Sequence, residues 1–299
     1  MQRRTFLKRT GGALIATPWI WSKAAQPVAA QGRHVFKKAV KFGMIQEEMT
    51  VLEKFNLLRS LGFDGVELDS PSNLDEQEVI DARKASGLPI HGVVDSVHWK
   101  QTLSHPDPAV RDEGRAGLEH ALRQAKAYGA STVLLVPAVV NKEVSYADAY
   151  TRSQHEIRKV LPLAREVGVK IALENVWNHF LLSPLEFARY IDEFESPWIG
   201  AYFDVGNIVN YGWPEQWIRT LGSRILKLDI KEFSRQKRDD EGLWKGFAAP
   251  LGEGDCDWPA VRKALADIGY TGWATAEIRG GDRARLTEII QRMNNILPE

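Results

Sequence analysis

From about residue 39 onward the chain alternates short apolar runs with longer amphipathic ones, and few folds accept that pattern. The short runs read as strands at 39–45, 65–68, 89–94, 132–136, 170–174, 199–204, 225–230 and 273–277. The longer ones read as helices at 50–61, 74–86, 108–128, 146–167, 184–194, 214–221, 258–268 and 283–297. Punctuation agrees: Ser183-Pro184 and Asp257-Trp258-Pro259 open helices, while Gly62, Gly87, Gly129, Gly168 and Gly269 fall just past helix ends. Alternation of strand and helix dictates a parallel sheet, because parallel neighbours are joined by a crossover helix. Eight such units predict an α/β fold, a (β/α)8 TIM barrel forming a single domain over residues 39–299. An open doubly wound sheet fits less well, since no glycine-rich phosphate loop follows the first strand. Residues 233–257 read as a long polar loop, of a length usually reserved for function or disorder.

The first thirty residues stand outside this pattern. Arg3-Arg4-Thr5-Phe6-Leu7 has the form of a twin-arginine export signal, Gly11 to Ile20 is a mildly apolar run, and Val28-Ala29-Ala30 suits cleavage after Ala30. The apolar run is shorter than the ~20 residues that cross a bilayer, so no membrane span is expected. Residues 1–30 are therefore expected to be a twin-arginine signal peptide, and the mature domain periplasmic or otherwise exported. Lys plus Arg and Asp plus Glu cancel at 39 each, so no basic excess favours nucleic acid, and a small, weakly charged partner fits better. The one cysteine, Cys256, supports neither a disulfide framework nor a thiolate metal site.

In such barrels the active site lies at the C-terminal strand ends, and there the chain places acids. The two-residue period turns Lys170, Ala172 and Glu174 inward on the fifth strand, and Asp204 inward at the end of the sixth if Phe203 packs outward. On the seventh, Lys227, Asp229 and Lys231 alternate with Leu226, Leu228 and Ile230. Glu277 ends the eighth strand and Glu67 faces inward on the second. Four carboxylates on consecutive strands repel one another unless a cation or inward lysines neutralise them. An all-oxygen cluster suits Mg2+ or Mn2+, and a lysine–carboxylate network on Lys227 and Lys231 is the alternative.

These residues sit in recognisable strings: Gly62-Phe-Asp-Gly-Val-Glu-Leu68, Ala172-Leu-Glu-Asn-Val-Trp-Asn178, Phe203-Asp-Val-Gly-Asn207, Pro250-Leu-Gly-Glu-Gly-Asp255, and Gly269-Tyr-Thr-Gly-Trp273 through Glu277. As a set, over about residues 40–297, they resemble the sugar phosphate isomerase/epimerase proteins of the xylose-isomerase-like TIM-barrel superfamily. The resemblance implies one divalent metal, Mn2+ or Mg2+, held by Glu174, Asp204, position 229 and Glu277. It also implies catalysis by Glu174 and Glu277, one removing a proton next to a carbonyl to give an enediolate, the other returning a proton on the opposite face. This chain departs from the family at Asp229, where a histidine is usual, and at Asn207, where several ketose epimerases carry a histidine that meets the substrate.

Candidate substrate-binding residues are Glu67, His91, His179, Asn207, Lys231 and Arg279. Trp99, Trp177, Trp213 and Trp244 fall in strand-to-helix loops, where aromatic walls for sugar rings are common. Three functions fit: a sugar isomerase or epimerase, a lyase eliminating the C1 substituent of a 3-keto-glycoside, and a non-catalytic sugar-binding barrel. In each the partner is a small sugar or glycoside, and an oligomer is compatible with all three.

Overall fold

The computed structural model describes residues 36–298; the twin-arginine segment lies outside them. Eight strands close into a barrel in chain order: β1 (Lys37–Lys41), β2 (Gly65–Ser70), β3 (Ile90–Asp95), β4 (Thr132–Leu135), β5 (Lys170–Glu174), β6 (Ile199–Asp204), β7 (Ile225–Ile230) and β8 (Trp273–Ala276). Every pairing is parallel, and β8 closes onto β1 from Lys37↔Trp273 to Val40↔Ala276.

The connecting helices follow local rules. Thr50 caps the helix Val51–Leu61 in a reciprocal capping box with Glu53, and Gly62 ends it at φ 93°, a conformation open to glycine at little cost. Ser183 caps Pro184–Asp192 and Asp257 caps Trp258–Asp267, each with proline in the first turn. No described helix is long and apolar enough to cross a membrane.

Three expectations need correction. The first strand stops at Lys41 and gives way to a 3-10 turn, Phe42–Met44, so Lys41 lies at a strand end rather than mid-strand. The segment 233–257 is not a bare loop: it carries a helix, Arg235–Glu241, and a 3-10 stretch, Leu243–Ala248. On β7 the outward set is incomplete, because the register to β6 shifts between Ala201 and Tyr202 and Leu226 packs with the inner cluster. A bulge of this kind puts an extra residue on one face.

The apolar core has two compartments. The larger fills the space between strands and helices and includes Val40, Leu173, Phe203, Leu228 and Ile230. Phe203 stacks on Trp217 of the helix Pro214–Leu221, which directs Asp204 inward as expected. The smaller compartment, inside the barrel, is only Leu134, Ala172 and Tyr202, with Val94 and Leu226 against it. Much of the remaining barrel interior is polar, and a polar interior must be paired or must serve a ligand.

Candidate active site

Asn175, the residue after β5, joins that strand to β6. Its amide nitrogen donates to the Asp204 carbonyl at 2.8 Å and its Oδ1 accepts from the Asp204 backbone N–H at 2.9 Å. Asn207 donates its amide to the Asn175 carbonyl at 2.9 Å and its backbone N–H to Asp204 Oδ1 at 2.8 Å. Trp177 is fixed by its indole N–H, which donates to the Asn207 carbonyl at 2.8 Å. These bonds set Glu174 beside Asp204. Glu232, after β7, accepts from the backbone N–H groups of Gly252 and Cys256 and from the Trp258 indole, and so anchors the returning half of the 233–257 segment.

Glu174, Asp204, Asp229 and Glu277 come together, each offering an oxygen within 4.8 Å of the others. In each, one buried oxygen has no hydrogen-bond partner: Glu174 Oε1, Asp204 Oδ2, Asp229 Oδ1 and Glu277 Oε2. Lys231 Nζ lies 3.0 Å from both Asp204 Oδ2 and Glu277 Oε2, as an ion pair outside hydrogen-bond geometry. Lys41 Nζ reaches Glu67 Oε2 at 2.5 Å and Asp229 Oδ2 at 3.0 Å, and sits over the Tyr202 ring.

The electrostatics follow from burial and crowding. Burial, then repulsion from Glu277 and Asp204, pushes the Glu174 carboxyl well up. Burial likewise raises Asp204 and Asp229, against the pull of Lys231 and Lys41 respectively. Glu277 goes the other way: burial opposes its ionisation, but Lys41 and Lys231 outweigh it and hold the carboxyl low. With Glu67 included, five carboxyl groups share two ammoniums, so full ionisation would leave an excess of three negative charges, and this crowding adds to burial in holding Glu174 and Asp229 up. Glu174 Oε1 and Asp229 Oδ1 have no donor, and four carboxyl groups converge where Lys231 reaches only Asp204 and Glu277, a set that a hard divalent cation would fit.

A cavity of about 840 Å³ opens above this cluster. Of the four acids, Glu174 and Glu277 line it, whereas Asp204 and Asp229 are fully buried behind. Lys41, Lys231, Asn207 and Arg279 also line it, the last three as expected.

Three expected substrate contacts fall elsewhere. Glu67 is buried outside the cavity lining, bonded to Lys41 and Tyr202, so it acts on the site through Lys41. His91, the second residue of β3, faces inward but toward the opposite end: it stacks on Trp273 at 4.4 Å and bonds Thr275 and Lys227. Lys227 is absorbed by that contact, and burial brings its ammonium down to about 7. His179 takes a left-handed φ of 59° and is exposed, its ring near the Val140 carbonyl and outside the cavity.

The lining residues outside the expected set include Lys41 and His98. Lys41 carried no motif. His98 takes the place imagined for His91: its Nδ1 accepts from the Val136 backbone N–H at 3.2 Å, and burial, aided by Lys41, holds its pKa down at about 3. The ring is therefore neutral with its proton on Nε2.

A parallel barrel with an acid cluster and a cavity at the C-terminal strand ends defines a class of barrel enzymes built for small substrates. Within it, residues 55–296 match the family model described as xylose isomerase-like TIM barrel, and the chain belongs to that family. It is 24% identical over 255 residues to the L-ribulose-5-phosphate 3-epimerase UlaE of Escherichia coli O1:K1 / APEC, covering 80% of this chain and 87% of the relative. Among solved structures, D-psicose 3-epimerase in the presence of D-fructose superposes with a TM-score of 0.72 at 19% identity, over 88% of this chain and 100% of that one. The 3-keto-D-glucoside 4-epimerase YcjR from E. coli gives 0.71 at 18% identity, over 88% and 99%.

Proposed function

We propose that this protein is a sugar epimerase or isomerase that moves a proton at a carbon next to a carbonyl. The observation that carries the reading is the division of labour in the acid cluster. Glu174 and Glu277 reach the cavity from different elements, while Asp204 and Asp229 complete the cluster from behind. One cavity-lining carboxylate takes the proton and the other returns one, giving an enediolate on the way. Glu174, Asp204, Asp229 and Glu277 would hold a divalent cation, Mn2+ or Mg2+, which supplies positive charge where the carbonyl oxygen turns anionic. Lys231 fixes the Glu277 carboxylate, Lys41 fixes Asp229, and the His98 Nε2–H is a neutral donor for a substrate oxygen. The names of UlaE and of the superposed epimerases support this reaction class.

The same first step allows a second reading. If the carbonyl is at C3 of a glycoside, removing the C2 proton permits elimination of the C1 substituent, and the aromatic rim of the cavity favours keeping it.

Incubation in D2O with a panel of ketoses and 3-keto-glycosides tests both. Deuterium is expected next to the carbonyl, with epimer or eliminated product identifying the outcome. Glu174→Gln and Glu277→Gln are each expected to slow exchange at least about 100-fold. Full exchange in either variant would remove that residue from the mechanism.

A further inference from the structure

The floor and the rim of the cavity differ in chemistry. The floor is charged: Glu174, Glu277, Lys41 and Lys231. The rim is aromatic, assembled from three separate loops. Trp99 follows β3, Trp177 follows β5, and Trp244 and Phe247 come from the segment after β7. Trp177, Trp244 and Phe247 touch, with ring centroids 5.0 Å apart for the two tryptophans and 4.9 Å for Trp177 and Phe247. Phe233 packs edge-on against Trp177 and Phe247 from below. The cluster is thus a supported wall, yet Trp244 remains 69% exposed, and Trp99, packed edge-on to His98, remains 52% exposed. Among the large hydrophobic side chains exposed in the described residues, only these two line the cavity.

Scattered exposed aromatics need no partner, but aromatic side chains grouped at the mouth of a cavity mark a binding surface. The carbonyl-bearing sugar must sit on the floor, where the carboxylates are, and a cavity of about 840 Å³ lies in the upper part of the usual range for drug-sized ligands. One sugar ring on the floor is much smaller than that volume and leaves space for a further group at the rim. We propose that Trp99 and Trp244 form a second subsite, and that the substrate is a glycoside whose cyclic substituent, a second sugar or an aryl group, covers these two indoles. This rests on the proposed reaction for the placement of the first ring, and names its substrate class.

The test is a binding measurement on the full chain. Glycosides lacking a ketone have no acidified C–H for the reaction, so affinities can be measured on the unmodified protein. Titration calorimetry and tryptophan fluorescence would compare a methyl glucoside, a phenyl glucoside and a glucose disaccharide. The cyclic substituents are expected to bind roughly tenfold tighter than methyl, with indole fluorescence changing. A gain shared by the disaccharide assigns the subsite to sugar rings; a gain confined to phenyl assigns it to aryl groups. Trp99→Ala and Trp244→Ala are expected to bring the ratio toward one, while Trp213→Ala, exposed but outside the cavity, leaves it unchanged. Equal affinity for methyl and cyclic glycosides, no glycoside binding, or a ratio indifferent to both rim substitutions overturns the subsite. Deuterium exchange on the panel of ketoses and 3-keto-glycosides is read separately. Exchange without the affinity difference sinks the subsite alone, and the affinity difference without exchange sinks the proton-transfer reading alone.

Discussion

Lys41 Nζ bridges two buried acids from different strands, 3.0 Å from Asp229 Oδ2 on β7 and 2.5 Å from Glu67 Oε2 on β2. Both carboxylates are fully out of water. Opposite charges that share a buried site hold together well, but removing one partner strands the others. Lys41→Met is therefore expected to destabilise the fold by about 3–5 kcal/mol, read from urea unfolding. Adding Glu67→Gln to Lys41→Met should recover part of that loss, because one stranded charge is gone. Additive losses in the double variant would show that the ion pair is not what Lys41 contributes.

Asp95 gives a pH dependence that does not involve the acid cluster. Burial pushes its carboxyl up to about 7, against a weaker pull from the Val97 N–H. An acid whose folded pKa is raised binds its proton more tightly folded than unfolded. Its contribution is present in full below the unfolded value near 4 and is lost as pH rises toward 7. The difference is on the order of 4 kcal/mol for a shift of that size. Asp95→Asn should leave stability at pH 4 little changed, and should raise it relative to the parent at pH 8. A variant-minus-parent stability difference equal at both pH values would place Asp95 in contact with water.

Export is the third expectation. Paired guanidiniums are the readable part of a twin-arginine signal, so replacing Arg3 and Arg4 together by Lys should leave the protein in the cytoplasm, as cell fractionation would show. Normal export of that variant would remove the signal from Arg3 and Arg4.

The parts of the site legible in the sequence are those written by alternation. Glu174 and Asp204 end strands whose neighbours Leu173 and Phe203 pack outward, and the two-residue period turns both acids in. His91 shows the limit of the period. Alternation turns it inward, but as the second residue of β3 it sits at the N-terminal end of the barrel, against Trp273, away from the acids at the C-terminal ends. Lys41 was hidden by the overlong first strand, which placed it mid-barrel; Val40 packs in the outer core, and that alternation was the available signal. His98 sits in a turn where no periodicity operates, held by a backbone N–H from across the barrel mouth. The 233–257 segment read as polar because its helix, Arg235–Glu241, is charged, although Trp244 and Phe247 carry its packing.

The metal is the remaining expectation, and Asp229 is its sharpest point. Its Oδ1 is a buried oxygen without a donor, while its Oδ2 is taken by Lys41. One carboxylate is thus shared between a lysine and the acid cluster. If a divalent cation occupies the cluster, Glu174→Gln should lower Mn2+ affinity by at least about tenfold, measured by spin-label-free Mn2+ resonance of the unbound ion. Activity should vanish with chelator and return with added ion. If the lysines alone balance the acids, protein folded in metal-replete medium should hold well under one equivalent, and chelator should change nothing. Asp229→His separates a ligand from a bystander. A nitrogen at that position favours borderline ions, so preference should move from Mn2+ and Mg2+ toward Co2+ or Zn2+. The same substitution frees Lys41 from one of its two partners, so a loss of stability is expected even without metal. A changed stability with an unchanged metal preference would make Asp229 a partner of Lys41 only, and leave Glu174, Asp204 and Glu277 as the metal-binding set.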